Sequence, residues 1–278
     1  MNPVWITGIG YATSLGSRSE TVGKNLKEGR TGLKPAQWPE AVRSPVKLWA
    51  PVADFDTRSD EPEDWKAPDE SFCLPMEVLR SIPVSGFYAF WAVAQALGVA
   101  GLEKKQLGDG RSGLYTASAG SIRQTYRHLS RLFEKGTMGC SPLGVISSVV
   151  GTLNFNLGAY YGIRGASCGF ASACASSGHA LGFAADTLAA GSQDTMVVVG
   201  AEDDTLETIL PFASMRALTM AGLEDFRGPF DVKRSGFVGT GGAVAMILER
   251  EESAKARGLK KPLAILRGWG QATDGYHA

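Results

Sequence analysis

No excess of charge of either sign marks this chain: Lys and Arg together number 28, and so do Asp and Glu. That balance gives no reason to expect nucleic acid or an anionic membrane as a partner. No apolar run reaches the ~18 residues of a spanning helix, because polar residues interrupt each one. The opening MNPVWITGIG lacks a basic segment followed by an apolar stretch and a cleavage site. No secretory signal is therefore expected, and the cytoplasm is the expected compartment. Histidine is scarce, at three, and cysteine almost as scarce, at four. Cys73, Cys140, Cys168 and Cys174 show neither C-x-x-C spacing nor His at metal-ligand intervals. The common zinc patterns are thereby excluded, and a disulfide framework is not expected in so long a chain without a signal. A tandem repeat with a period of ~20 to 50 residues is also missing.

What is present fits a soluble globular protein: 278 residues, 44% hydrophobic and 20% charged, enough for one large domain or two ordinary ones. PVWITGIG (3–10) reads as a short buried strand closed by glycines. Thr13 stands where a dinucleotide fingerprint needs its third glycine, and no acidic residue follows at the right distance, so the G-x-G reads as a tight turn. Residues 34–75, rich in Pro, Asp and Glu, read as a solvated excursion. SGFYAFWAVAQALG (85–98) is apolar nearly all round and predicts a buried helix. A strand at 112–118 and an amphipathic helix at 124–136 with a glycine stop follow. SPLGVISSVVGTLNFNLG (141–158) predicts a second, glycine-interrupted helix.

The chain then turns extended and small at ASCGFASA (166–173). From Cys174 onward Leu181, Ala184, Ala185 and Leu188 recur at helical spacing, with Gly191 placed to stop the helix. DTMVVVGAE (194–202) is a continuous apolar strand of the kind buried on both faces. GAVAMILER (242–250) is another strand, EESAKARG a short helix, and PLAILRGWG (262–270) begins one more strand. Alternation of this kind defines an α/β fold, with helices covering a mixed or mostly parallel sheet.

Cys174 thus lies where a strand becomes a helix. The thiolate is the nucleophilic form of cysteine, and a helix N-terminus favours it with free N–H groups and the positive end of the dipole. The same N–H groups can hold the oxyanion of a tetrahedral acyl adduct. Ala173, Ala175, Ser176 and Gly178 leave room for a substrate to reach the sulfur. Two readings follow, an acyl-accepting nucleophile or a small core residue at a crowded helix start, and composition alone does not separate them. Cys168 reads as structural, and Cys73 and Cys140 as small buried hydrophobes.

The segment ASCGFASACASSGHALGFAADTLAAGSQDTMVVVGAED resembles the active-site segment of β-ketoacyl-acyl-carrier-protein synthases, the condensing enzymes of fatty-acid and polyketide synthesis. VWITGIGYATSLGSRSETVGKNLKEGRTG, YGIRGAS, FASMRALT, GPFDVKRSGFVGTGGAVAMILEREESAKARG and GWGQATDGYHA are similar to further family segments, in the right order over nearly the whole chain. The resemblance implies a thiolase-like fold, layered αβαβα, in which two similar halves stack. On that basis residues 1–258 are the nucleophile-bearing first half and 259–278 the start of a truncated second half. It implies a homodimer, or a heterodimer with a related subunit, with the strand beside the nucleophile near the interface. Cys174 would take an acyl group from a carrier-protein thioester, and the enolate left by decarboxylation of a malonyl thioester would attack the acyl-enzyme. No metal or dissociable cofactor is implied; phosphopantetheine enters as part of the acyl carrier protein. That acidic partner would dock on a basic rim to which Arg216, in SMRALT, belongs. The acyl tunnel would include the helix around Leu143 to Val150.

The family's two catalytic histidines and supporting lysine belong to its second half, in His-Gly-Thr, Gly-His and Gly-Gly-His-Asn contexts. His128, His179 and His277 stand in none of these, and no catalytic role transfers to them. His128 reads as a surface or boundary residue and His179 as packed or hydrogen-bonded. Thr240 and Gly242 replace a usual acidic residue and Ala, Ser235 replaces a usual Asp, and G-x-G-G reads as a tight turn near the pocket. Two further readings remain: a non-catalytic partner subunit, which Cys174 argues against, and a carrier-protein-binding remnant.

Overall fold

Each long apolar segment becomes a strand or helix of one mixed sheet and its two covers, described for residues 3–275 in a computed structural model. The chain opens with β1 (Val4–Ala12) and α1 (Ser19–Lys27). It then crosses an excursion holding the short pair β2 (Lys34–Pro35) and β3 (Leu48–Trp49) and the single turn α2 (Met76–Leu79), before α3 (Val84–Ala100). Next come β4 (Ser112–Ala117), α4 (Ile122–Lys135), α5 (Gly144–Ser148), α6 (Thr152–Tyr161) and β5 (Ser167–Phe170). The chain continues through α7 (Ser176–Ala189), β6 (Thr195–Glu202), α8 (Leu206–Ile209), β7 (Gly242–Arg250), α9 (Glu251–Ala256) and β8 (Ala264–Leu266). The sheet order is β5-β4-β6-β7-β1-β8. β5, β4 and β6 run parallel, and β7 pairs antiparallel with both β6 and β1.

Strand alternation sends side chains to opposite faces of this sheet. Val197, Val199 and Ala201 of β6 join the core against α3, while Met196 and Val198 join the core against α7. α3 is buried almost all round, as its composition predicts, from Val84 to Ala100. Gly101, at φ 67°, ends it in the left-handed conformation that glycine adopts freely. α7 covers the other face with Ala180, Ala184, Ala185 and Leu188. Trp269 seats on it over Gly182, where a Cβ would fall 2.1 Å from the indole ring. The indole N–H donates to Asp186 at 3.2 Å.

Three expectations change. Gly8 and Gly10 do not form a turn; they lie inside β1, where α3 presses on the backbone. A Cβ on Gly10 would sit 1.9 Å from the Ala92 carbonyl oxygen, and one on Gly8 2.0 Å from that of Ala96. The 34–75 excursion is solvated only in part. Its Phe55 and Trp65 are buried and Phe72 packs against the same core, meeting Phe87, Tyr88 and Trp91 of α3 edge-on or tilted. The glycine-interrupted helix is two helices, α5 and α6, separated at Gly151, which adopts φ 90°. α4 has the expected amphipathic pattern and ends at Gly136, yet no residue of it is buried. Ile122, Tyr126, Leu129 and Phe133, at helical spacing, all face solvent.

Candidate active site

The carboxyl ends of β5, β4 and β6 lie side by side, with Phe170 paired to Ala117 and Ala117 to Gly200. Open α/β sheets bind ligands at this end of their parallel strands. The chain leaves β5 at Phe170 and enters α7 at Ser176, and Cys174 lies in the turn between, exposed. Ala173 adopts φ 49°, a left-handed conformation that costs an L-residue about 1–2 kcal/mol. Two overlapping turns hold it: the Ala175 N–H donates to Ser172 O at 3.2 Å and the Ser176 N–H to Ala173 O at 3.1 Å. Ser176 reinforces both. Its hydroxyl donates to Ala173 O and accepts from the Ser172 N–H, each at 2.7 Å. A bend this sharp, followed at once by a helix, turns the Cys174 side chain away from the packed interior. Ala171, Ser172, Ala173, Ala175 and Ser177 around it are small and exposed. Gly200 of β6 brings α7 close to the strand ends, since a Cβ there would sit 3.0 Å from that of Ser177.

The acids at the end of β6, Glu202 in its last position and Asp203 and Asp204 just beyond, are functional candidates that the motifs above do not include, though three acids in succession at the end of a doubly buried strand are the signal that marks them. Asp203 is fully buried. It accepts the Ser85 N–H at 2.7 Å and the Ser121 hydroxyl at 2.5 Å, joining the first turns of α3 and α4. Burial pushes its carboxyl up, against those hydrogen bonds. Asp204 accepts the Tyr88 hydroxyl at 2.9 Å and the Val52 N–H at 3.1 Å, tying in the excursion. Glu202 lies half-buried, and burial first, then the neighbouring Asp203 charge, pushes its pKa up to about 7. The turn before β7 packs on this group: a Cβ on Gly241 would meet the Asp204 N at 2.3 Å. Thr240 donates to Ala50 O at 2.5 Å, and Ser235 bonds the Thr219 hydroxyl at 2.8 Å, so each of these side chains has a partner where it stands.

Arg216 is exposed at φ 55°, and among the described residues it makes no salt bridge and no link to Cys174. His179 is hydrogen-bonded, its Nδ1 2.6 Å from the Ser172 hydroxyl. His128 is a boundary residue. Its buried Nδ1 lacks a hydrogen-bond partner among the described residues and faces Gly144, beside a cavity of about 270 Å³ that Arg80, Arg127 and Asp60 also line. His277 lies outside the described residues. The reading of Cys73 and Cys140 as buried fails: Cys73 is exposed and Cys140 half-buried. Cys168, on the edge strand β5, is exposed as well. Among the described residues no group of three His, Cys, Asp or Glu side chains converges as a metal site. No helix among them is long and apolar enough to cross a membrane.

Residues 1–254 match the family model of the beta-ketoacyl synthase N-terminal domain. The chain belongs to the beta-ketoacyl synthase family. It is 31% identical over 278 residues to 3-oxoacyl-[acyl-carrier-protein] synthase 2 of Vibrio harveyi, covering 99% of this chain and 64% of that protein. It is 30% identical over 276 residues to 3-oxoacyl-[acyl-carrier-protein] synthase 1 of Haemophilus influenzae, covering 98% of this chain and 64% of that one. A beta-ketoacyl synthase from Burkholderia phymatum STM815 superposes with a TM-score of 0.82 at 31% identity, over 100% of this chain and 66% of that one. The fold is accordingly the thiolase-like α/β fold of ketosynthases, seen here as one sheet between two helix layers. The chain spans about 64% of the length of the curated relatives it matches.

Proposed function

We propose that this chain is the nucleophile-bearing part of a 3-oxoacyl-[acyl-carrier-protein] synthase of fatty-acid or polyketide synthesis. The observation that carries the reading is the left-handed turn at Ala173, which presents an exposed Cys174 at the carboxyl end of parallel strands and at the start of a helix. In this mechanism the Cys174 thiolate attacks the carbonyl of an acyl-carrier thioester and expels the carrier's pantetheine thiolate, which takes up a proton. A malonyl thioester then loses carbon dioxide. Its enolate attacks the new thioester carbon, forms the carbon–carbon bond and releases the Cys174 thiolate. The only prosthetic group in the sequence is the carrier's own phosphopantetheine, and no metal takes part.

The carrier protein docks through its acidic surface on a rim that includes Arg216, which is exposed and free of a salt bridge among the described residues. Residues 1–258 correspond to the first half of the synthase and 259–278 open the second. The protein works in the cytoplasm as a homodimer or with a related subunit. β5 supports that assembly, because it is an edge strand with Ser167, Cys168 and Gly169 exposed.

Incubation with an acyl-pantetheine thioester, followed by intact mass and peptide mapping, tests the reading. Acylation confined to Cys174 is the expected result, even though Cys73 and Cys168 are also exposed. Equal acylation of all four cysteines, or none at Cys174, overturns it. Malonyl carrier protein should release carbon dioxide no faster with this chain than with a Cys174→Ala control. The groups that would hold the enolate belong to the family's second half.

A further inference from the structure

The left-handed turn belongs to neither β5 nor α7, so something must keep Ala173 in it. Backbone bonds and the Ser176 hydroxyl fasten Ser172 and Ala173 to the first turn of the helix. One bond reaches further. The Ser172 hydroxyl lies 2.6 Å from Nδ1 of His179, whose own N–H donates to Ala175 O at 3.0 Å within regular helix. The imidazole therefore stands on a rigid support, one turn beyond Ala175, and grips the residue two before the nucleophile. Whichever partner holds the proton, the pair stays joined. Neither side chain is buried, so the contact adds little to the core.

We infer that His179 and Ser172 are positioning residues for the Cys174 nucleophile: their hydrogen bond holds the strained turn in the conformation that aims the thiol. This rests on the nucleophile reading above. Without the bond, the Ser172 side chain is free to rotate, and the turn at Ala173 is held only by the backbone bonds and the Ser176 hydroxyl. The thiol then stays accessible but loses its alignment with the first turn of α7. Reactions that need a defined approach suffer, while reactions that need only access do not.

The test compares acylation of Cys174 by an acyl-pantetheine thioester with its alkylation by iodoacetamide, in the full chain. Ser172→Thr and Ser172→Val have the same shape and differ only in the hydroxyl. Ser172→Thr should acylate within about twofold of the wild type. Ser172→Val should fall by about tenfold or more, with alkylation and thermal unfolding unchanged. At the other end of the bond, Asn can place an amide atom where Nδ1 sits, so His179→Asn should retain acylation that His179→Leu loses. Equal acylation in Ser172→Thr and Ser172→Val overturns the positioning role while leaving the nucleophile reading intact. A parallel loss of alkylation and acylation in Ser172→Val also overturns it, since access and not alignment would then be at stake. Absence of acylation at Cys174 in the wild type sinks the nucleophile reading, and the positioning role with it.

Discussion

The two faces of the sheet are covered by helices of opposite character. α3 carries Phe87, Tyr88, Phe90 and Trp91, whose rings pack on Phe55, Trp65 and Phe72 of the excursion and on Tyr160 and Tyr161 of α6, while its backbone at Ala92 and Ala96 presses on Gly8 and Gly10. α7 carries Ala180, Ala184, Ala185 and Leu188, packed with Met196, Val198 and Leu248 from the sheet. Large side chains remove much apolar area from water and anchor α3 to the excursion and to α6. Small ones give up part of that stabilisation and let the N-terminus of α7 approach the strand ends without bulk around the thiol. One face anchors, and the other positions.

The largest effect that would test this contrast is in the ring core. Phe90 is fully buried and packs against Tyr160 and Tyr161. Phe90→Ala should cost about 3–5 kcal/mol in urea unfolding, through lost burial and a residual cavity. A loss below about 1 kcal/mol would contradict the anchoring role of that face. The next effect lies at the strand ends. Glu202 has its pKa raised from 4.5 to about 7 in the folded chain. A raised carboxyl favours the folded state fully below its unfolded pKa and loses that contribution as pH rises through its folded pKa. Stability should therefore decline between about pH 4.5 and 7.5, by about 2–3 kcal/mol from this group. Glu202→Gln should flatten the decline, although the buried Asp203 adds a slope of the same sign. Denaturant midpoints at pH 5 and pH 8 for both proteins decide it. The smallest effect on stability concerns Arg216, which belongs to neither core. Arg216→Glu should change stability by less than about 0.5 kcal/mol. It should weaken binding of an acidic carrier protein, more so at low than at high ionic strength. Salt-insensitive binding, unchanged by the substitution, would remove Arg216 from the docking surface.

Much of this contrast is legible in the amino-acid order. α3 announces itself by being apolar all round, β6 by an unbroken apolar run, and the proposed nucleophile by a lone thiol between extended and helical patterns, which leaves a small core residue equally open until the family resemblance is added. The remainder depends on what meets what in space. Pro, Asp and Glu in 34–75 signal solvation and hide Phe55, Trp65 and Phe72, whose burial is set by α3. Periodicity identifies the apolar stripe of α4 correctly, yet periodicity names a face and not its cover, and Tyr126 and Phe133 point outward. Glycine in β1 looks the same whether it turns the chain or admits a helix backbone. The Ser172–His179 bond spans a helical turn and a kink, a geometry that spacing alone does not fix.

β1 serves both faces, and it does so by a shift of phase. Val4 and Ile6 pack on the α7 side, whereas Gly8, Gly10 and Ala12 face α3. The switch is a bulge in the pairing with β7 between Ile6 and Gly8. At that point the Thr7 hydroxyl donates to buried Glu249 at 2.5 Å, and Arg257 grips the same carboxylate with two bonds. A strand with no bulge would keep odd and even positions on fixed sides from end to end. Thr7 is the extra residue of that bulge, so a strand without it would alternate regularly and still present Val4 and Ile6 to the α7 side and Gly8 and Gly10 to α3. What the extra residue supplies is the hydroxyl that meets the buried Glu249. Strand length and strand phase thus part company here: β1 could lose Thr7 and keep both neighbours, whereas loss of a different residue, with the bulge kept, would turn one end of the strand to the wrong face.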